Sequence, residues 1–277
     1  MTFSIAAHDG DAWGVAVASK FLAVGAVVPA VRLGVGAVAT QSLARVAYLD
    51  EVLTALEGGR NAHEALAEAV AGDEGRDQRQ VGVVGPSGAD TFTGADCYDW
   101  AGGVAAGGDH SAYAIQGNIL TGPEVVQAME RAWLGSSGQS LDVRLVQVLL
   151  AGDEAGGDSR GRQSAAILVH APGAGYDGGG VLADLRVDDH PDAPRELARI
   201  HGLSTLFFGE PEDVAPLTGP LREEVASCLR TLGHDGADTD AALTAWMSGA
   251  NLENRQSSEG IDARVLAELR AAARRAG

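Results

Sequence analysis

Thr2-Phe-Ser-Ile-Ala-Ala-His8-Asp-Gly-Asp-Ala12-Trp-Gly-Val-Ala-Val-Ala-Ser-Lys20 is the stretch whose reading decides the fold. Residues 2–7 and 12–19 have strand composition, and His8-Asp9-Gly10-Asp11 between them supplies the turn chemistry of a hairpin. A four-residue turn sets Ala7 against Ala12 and Thr2 opposite Val17, with Lys20 just past the residue that pairs with Thr2. Both runs are apolar on both faces, so each face needs a covering layer.

Outward from this hairpin, the spacing predicts strands over 24–31 and 34–40, helices over 46–56 and 63–71, and strands over 80–84, 90–93, 104–106 and 112–116. Helices at 123–134 and 141–150, strands at 165–170 and 181–185, and a helix at about 193–200 follow. Strands that arrive in hairpin-linked blocks, separated by blocks of helices, argue for antiparallel sheets, because a parallel sheet needs a crossover after every strand. The expected class is α+β, a four-layer α-β-β-α sandwich of two antiparallel sheets over residues 2–208. No strand pattern follows, and helices at 221–232, 239–247 and 261–273 make 209–277 a small helical domain. The Gly-, Pro- and acid-rich stretch 209–219 is its expected protease-sensitive boundary.

Composition narrows the function classes. The chain has 277 residues and 45% apolar content, enough for a full core. Its 38 acidic against 20 basic residues give a net charge of -18, which repels phosphate backbones and anionic headgroups. Neither nucleic acid nor membrane is an expected partner. Two cysteines, Cys97 and Cys228, make no disulfide framework. Without a signal-peptide pattern or an 18-residue apolar run, the expected location is cytoplasmic.

Several motifs reduce to structure. Gly173-Ala-Gly175-Tyr-Asp-Gly178 fits a dinucleotide-loop pattern but leads into a strand pattern rather than a helix, so it reads as a hairpin turn. Gly34-Val-Gly36 fails in the same way. His63-Glu64 lacks the second His of a zincin helix, and no GxSxG elbow is present. Asp188-Asp189-His190 with Asp192 suggests a hard-cation site, yet Asp192 before Pro194 reads better as a helix start. No metal or organic cofactor is expected.

Two features carry chemistry. Lys20 is the single lysine beside 19 arginines. Codon bias explains such a remnant, and so does a task that a planar guanidinium cannot perform in place of a compact ammonium. Thr2 follows Met1, and methionine aminopeptidases generally remove Met before small side chains. Thr2 is then expected to begin the mature chain, its free α-amine acting as general base for its own hydroxyl. Its place at the very start of a strand sets this apart from an ordinary frayed terminus.

With these residues, Thr2–Ala7, Gly14-Val-Ala-Val-Ala-Ser-Lys20-Phe, Ala26-Val-Val-Pro29, Gly34–Gln41, Gln116-Gly-Asn118, Gly161-Arg-Gln-Ser164 and Asp184–Pro191, the sequence resembles the DUF1028 family over roughly residues 2–208. That family is placed among the N-terminal-nucleophile (Ntn) hydrolases. The tail, with Trp246, Asn251-Leu-Glu253 and Ile261–Leu266, resembles an appended peptidoglycan-binding-type helical domain. The resemblance implies Thr2 as nucleophile, with Lys20 or Arg32 as the assisting cation and Asn118, or alternatively Gln41, as oxyanion donor. Where proteasome-like relatives keep an Asp near the end of the second strand, this chain has Ala18-Ser19-Lys20. The expected function is an N-terminal-threonine amidohydrolase that cleaves a small amide or peptide-like bond through an acyl-enzyme, working as a homo-oligomer, expected to be a dimer. The alternative is a non-catalytic binding or scaffold protein that keeps the sandwich.

Overall fold

The computed structural model describes residues 2–236 and 238–277. Strand β1 (Thr2–Asp9) and β2 (Ala12–Ser19) form the first hairpin. Its turn is only Gly10-Asp11: Gly10 takes a φ of 55°, which the first position of a two-residue hairpin turn requires. His8 belongs to the strand, stacked on its cross-strand partner Trp13 at 4.6 Å. The expected register is therefore corrected by two residues. Ala7 faces Gly14, and Thr2 faces Ser19 rather than Val17.

The chain continues through β3 (Pro29–Arg32), β4 (Gly36–Ser42), α1 (Ala47–Glu57), α2 (Ala62–Ala71), β5 (Arg79–Gly85) and β6 (Gly88–Thr93). Next come β7 (Gly102–Gly107), β8 (Ser111–Asn118), α3 (Glu124–Gly135), α4 (Leu141–Glu154), β9 (Ser164–His170), β10 (Val181–Val187) and α5 (Ala193–Phe208). The expected strand over 24–31 is partly wrong, since Val24–Ala26 is a 3-10 turn and pairing starts only at Pro29. Two antiparallel sheets result, one in the order β10-β9-β2-β1-β8-β7 and the other β3-β4-β5-β6.

Period-two alternation decides what each face touches. On β1, Phe3, Ile5 and Ala7 pack with Met129, Trp133, Leu145 and Leu149 of α3 and α4. Ala6 points the other way, into a second core with Val15 and Val17 of β2 and Ala37, Ala39 and Val84 of the four-stranded sheet. The outer face of that sheet, carrying Val38, Val81 and Val83, packs on Tyr48, Val52 and Leu66 of α1 and α2. Asn61 caps α2 in a reciprocal box with Glu64.

At this last layer a buried hydrogen-bond centre ties helix to sheet. Asp73 accepts from Tyr48 Oη at 2.8 Å, Arg79 Nε at 3.0 Å and the Gly75 N–H at 2.9 Å. The Arg79 bond, then those of Gly75 and Tyr48, lower its carboxyl from 3.8 to about 2. A depressed folded-state pKa contributes stability that is complete above the unfolded value and lost as pH falls through the folded one. Asp73→Asn is thus expected to destabilise near pH 7 and to have almost no effect near pH 2, as measured by denaturant melts at the two pH values.

The chain divides into two compact units, one running to Ile200 and the other His201–Gly277, so residues 201–208 group with the helical tail rather than with the unit that holds the two sheets. In the second unit, α6 (Gly219–Thr231), α7 (Thr239–Gly249) and α8 (Ala263–Ala276) enclose Val225, Leu229, Leu243, Met247, Val265 and Leu269. Asp238 and Asp262 cap α7 and α8. Fully buried Arg255 donates to the Thr205, Leu206 and Glu210 carbonyls and pairs with Asp262 at 2.9 Å and Glu212 at 3.1 Å. The stretch 209–219 is therefore held at Glu210 and Glu212, and at Ala215 by a bridge to Ile261, despite its composition. Arg255→Ala removes the cation from the buried Asp262 carboxylate and leaves it only backbone N–H donors, at a cost of about 3–5 kcal/mol. Rapid limited proteolysis within 209–219 is expected of that variant and not of the wild type. Among the described residues, no helix is long and apolar enough to cross a membrane.

Candidate functional site

Thr2 opens β1, which lies inside the six-stranded sheet with β2 on one side and β8 on the other. It is 6% exposed, and its Oγ1 is 3.1 Å from Ser19 Oγ. Being even-numbered on β1, its side chain shares the inter-sheet face with Ser4 and Ala6. Thr2 faces Ser19 on β2 and Asn118 on β8, directly across each ladder. The inter-sheet layer is therefore apolar toward the hairpin end and polar at the Thr2 end.

That polar end is a closed set of amides and hydroxyls. Gln41 on β4 donates from Nε2 to the Thr2 carbonyl at 3.2 Å, to Gln80 Oε1 at 2.8 Å and to the Gln116 carbonyl at 3.4 Å, while its Oε1 accepts from Ser4 Oγ at 2.7 Å. Gln116 donates to Ser4 Oγ at 2.7 Å. Gln80 on β5 is the hub. Its Oε1 also accepts from Asn118 Nδ2 at 2.9 Å, and its Nε2 donates to the Gly117 carbonyl at 2.8 Å and Thr93 Oγ1 at 2.9 Å. Room for Gln116 comes from Gly82, where a Cβ would sit 2.0 Å from Gln116 Oε1. A buried amide left unpaired costs about 1–3 kcal/mol, so such a network is stable only when nearly complete.

The residues expected at the site divide. Thr2, Asn118 and Gln41 come together. Of the two candidate oxyanion donors, Gln41 has its amide hydrogens engaged by three acceptors, whereas Asn118 Nδ2, with two hydrogens, donates to Gln80 Oε1. Lys20 follows Ser19 in the chain. Its N–H donates to Asp158 Oδ2 at 2.7 Å, and its exposed ammonium donates to the Arg162 carbonyl at 3.2 Å. Arg32 is the correction: it pairs with Gly36, about 17 Å along β4 from Gln41. Its guanidinium is taken by Glu57 at 2.7 Å and Asp50 at 3.1 Å on α1. Arg32 thus fixes α1 to β3 and is not an assisting cation for Thr2.

Ser19, Ser4 and Gln80 escape a reading of the sequence. The available signal is polar residues at inward-facing positions of otherwise apolar strands. It becomes specific only once strand pairing makes those positions converge. Buried His8, whose imidazole pKa is lowered chiefly by desolvation, lies about 20 Å along β1 from Thr2. Asp188, Asp189 and His190 precede α5, which starts at Ala193, as the helix-start reading expected. Among the described residues, no group of three His, Cys, Asp or Glu side chains is arranged to hold a metal ion.

The family model described as "Family of unknown function (DUF1028)" matches residues 2–197, and that described as "Putative peptidoglycan binding domain" matches 205–269. The crystal structure of a DUF1028 protein from Silicibacter pomeroyi is similar at 30% identity and a TM-score of 0.64, covering 80% of this chain and 92% of that one. BPH from Thiobacillus denitrificans matches at 13% identity and a TM-score of 0.32, over 62% of this chain and 98% of its own. Anbu, an ancestral beta-subunit from Yersinia bercovieri, matches at 11% and 0.32, over 74% and 96%. No curated protein matches the sequence. The chain belongs to the DUF1028 family, a family of unknown function.

Proposed function

We propose that the first unit is an Ntn-type four-layer α-β-β-α sandwich and that the protein is an N-terminal-threonine amidohydrolase acting on a small amide or peptide-like bond. The observation that carries this reading is the place of Thr2: first residue of an inner strand, nearly buried, its hydroxyl 3.1 Å from Ser19 Oγ at the polar end of the inter-sheet layer. Three cores stacked between helices, sheet, sheet and helices support the layer order.

In the proposed reaction Met1 is removed, and the α-amine of Thr2 takes the hydroxyl proton as Oγ1 attacks the amide carbon. The tetrahedral oxyanion is met by the uncommitted N–H of Asn118 Nδ2. Collapse breaks the C–N bond, the ammonium returns its proton to the leaving amine, and water activated by the same amine hydrolyses the threonyl ester. Ser19 holds the hydroxyl between turnovers. Lys20, next in the chain, is the assisting cation of this reading, and its exposed ammonium must leave the Arg162 carbonyl to reach Thr2. The chemistry uses no metal or organic cofactor, and the work is assigned to the cytoplasm.

The test is a mass and a screen. The purified protein should be one methionine lighter than its full translation, and an acyl-amide library should yield a substrate that Thr2→Ser still turns over in part. Met1 retained in active protein contradicts the amine-as-base mechanism. A well-folded, correctly processed protein that turns over none of the library and takes up no acylating electrophile supports the scaffold alternative.

A further inference from the structure

Among the buried polar atoms at the Thr2 end of the inter-sheet layer, Asn118 Oδ1 has no hydrogen-bond partner. Asn118 is 1% exposed, and a buried acceptor left unpaired costs about 1–3 kcal/mol. Rotating the amide does not relieve it. Gln80 Oε1 lies 2.9 Å from Asn118 Nδ2, and exchanging the two ends would set oxygen against oxygen. Gln80 in turn is held by its own donation to the Gly117 and Gly102 carbonyls and to Thr93, so its Oε1 end is fixed. Neighbouring donors are committed as well: Gln41 Nε2 serves the Thr2 carbonyl, Gln80 and the Gln116 carbonyl, and Gln116 Nε2 serves Ser4.

What lies opposite Asn118 is Thr2. The two are direct partners in the β1–β8 ladder with side chains on one face, which brings their Cβ atoms within about 5 Å. We propose that Asn118 has a second role beside that of its Nδ2: its Oδ1 positions the base by accepting a hydrogen bond from the α-amino group of Thr2 after Met1 is removed. This rests on the N-terminal-threonine reading. A neutral amine that donates one N–H to Oδ1 has its lone pair restricted in direction and available to the hydroxyl. Once protonated, the ammonium keeps the bond in charge-assisted form. A neutral amide suits this place, because a carboxylate would hold the amine protonated at neutral pH and remove the base.

The experiment is an NMR titration of processed protein labelled with 13C-threonine, following the Thr2 Cβ signal, which is assigned by its disappearance in Thr2→Ser. Asn118→Asp, the isosteric variant, is expected to raise the amine midpoint by about one unit or more, and Asn118→Leu to lower it. Should the leucine variant not fold, the aspartate variant decides alone. Identical midpoints in wild type and Asn118→Asp overturn the contact. The titration does not depend on turnover: a Thr2→Ala protein with full activity overturns the nucleophile reading while the midpoints still judge Asn118. Retained Met1 overturns both.

Discussion

Thr2→Ala is expected to lower turnover of any responsive amide by roughly a thousandfold or more, since it removes the covalent nucleophile. The same variant should melt within a few degrees of wild type. Only a hydroxyl and a methyl are lost, at a strand end where Ser19 is the side-chain partner of the hydroxyl. A glycine inserted between Met1 and Thr2 should be as damaging as the alanine. Met removal would then expose glycine, and the Thr2 nitrogen would become an amide with no basic lone pair. Steady-state kinetics with the screened substrate check both. Wild-type rates in the insertion variant would make Thr2 structural.

The second large effect is on stability and lies across the layer, on β5. Gln80→Met keeps the volume but removes both the acceptor of Asn118 Nδ2 and Gln41 Nε2 and the donor to the Gly117 carbonyl. Gln41 Nε2 keeps the Thr2 and Gln116 carbonyls, so two buried groups, Asn118 Nδ2 and the Gly117 carbonyl, lose this partner at about 1–3 kcal/mol each, which gives a loss of about 2–6 kcal/mol in urea unfolding at pH 7. Gln80→Glu separates acceptor from donor, because it keeps the oxygen that serves Gln41 and Asn118 and loses the N–H groups. A Gln80→Met protein as stable as wild type would mean that solvent reaches these amides.

The strands were legible because burial on both faces writes continuous apolar runs, and the glycine-rich segment between β9 and β10 was legible as a turn because it leads into a strand pattern. The hairpin register was not. Residues 8–11 fit a four-residue turn as well as a strand end plus a two-residue turn, and the choice rests on Gly10 φ and the His8–Trp13 stack. Arg32 was misplaced for a related reason. A strand end known only in sequence gives no direction relative to Thr2, and β3 runs so that its last residue meets Gly36, far from Gln41. The amide hub was hidden because Gln80 meets Asn118 across 38 residues and between the two sheets, and meets Gln41, its partner on the neighbouring strand, across 39. Gly82 likewise looks like a weak spot in a strand until Gln116 is seen to fill the space above it.

The central claim, that the mature N-terminal threonine is a nucleophile activated by its own amine, is tested most directly by adduct mapping. The processed protein is exposed to a small acylating electrophile such as a β-lactone, digested, and analysed by peptide mass spectrometry at several pH values. The account predicts one dominant adduct on the Thr2 hydroxyl of the N-terminal peptide, absent from Thr2→Ala and from the glycine-insertion variant, and weakening as pH falls below the amine pKa, near 8 when unperturbed. Adducts spread over other residues, or equal labelling of Thr2 in the insertion variant, would contradict it.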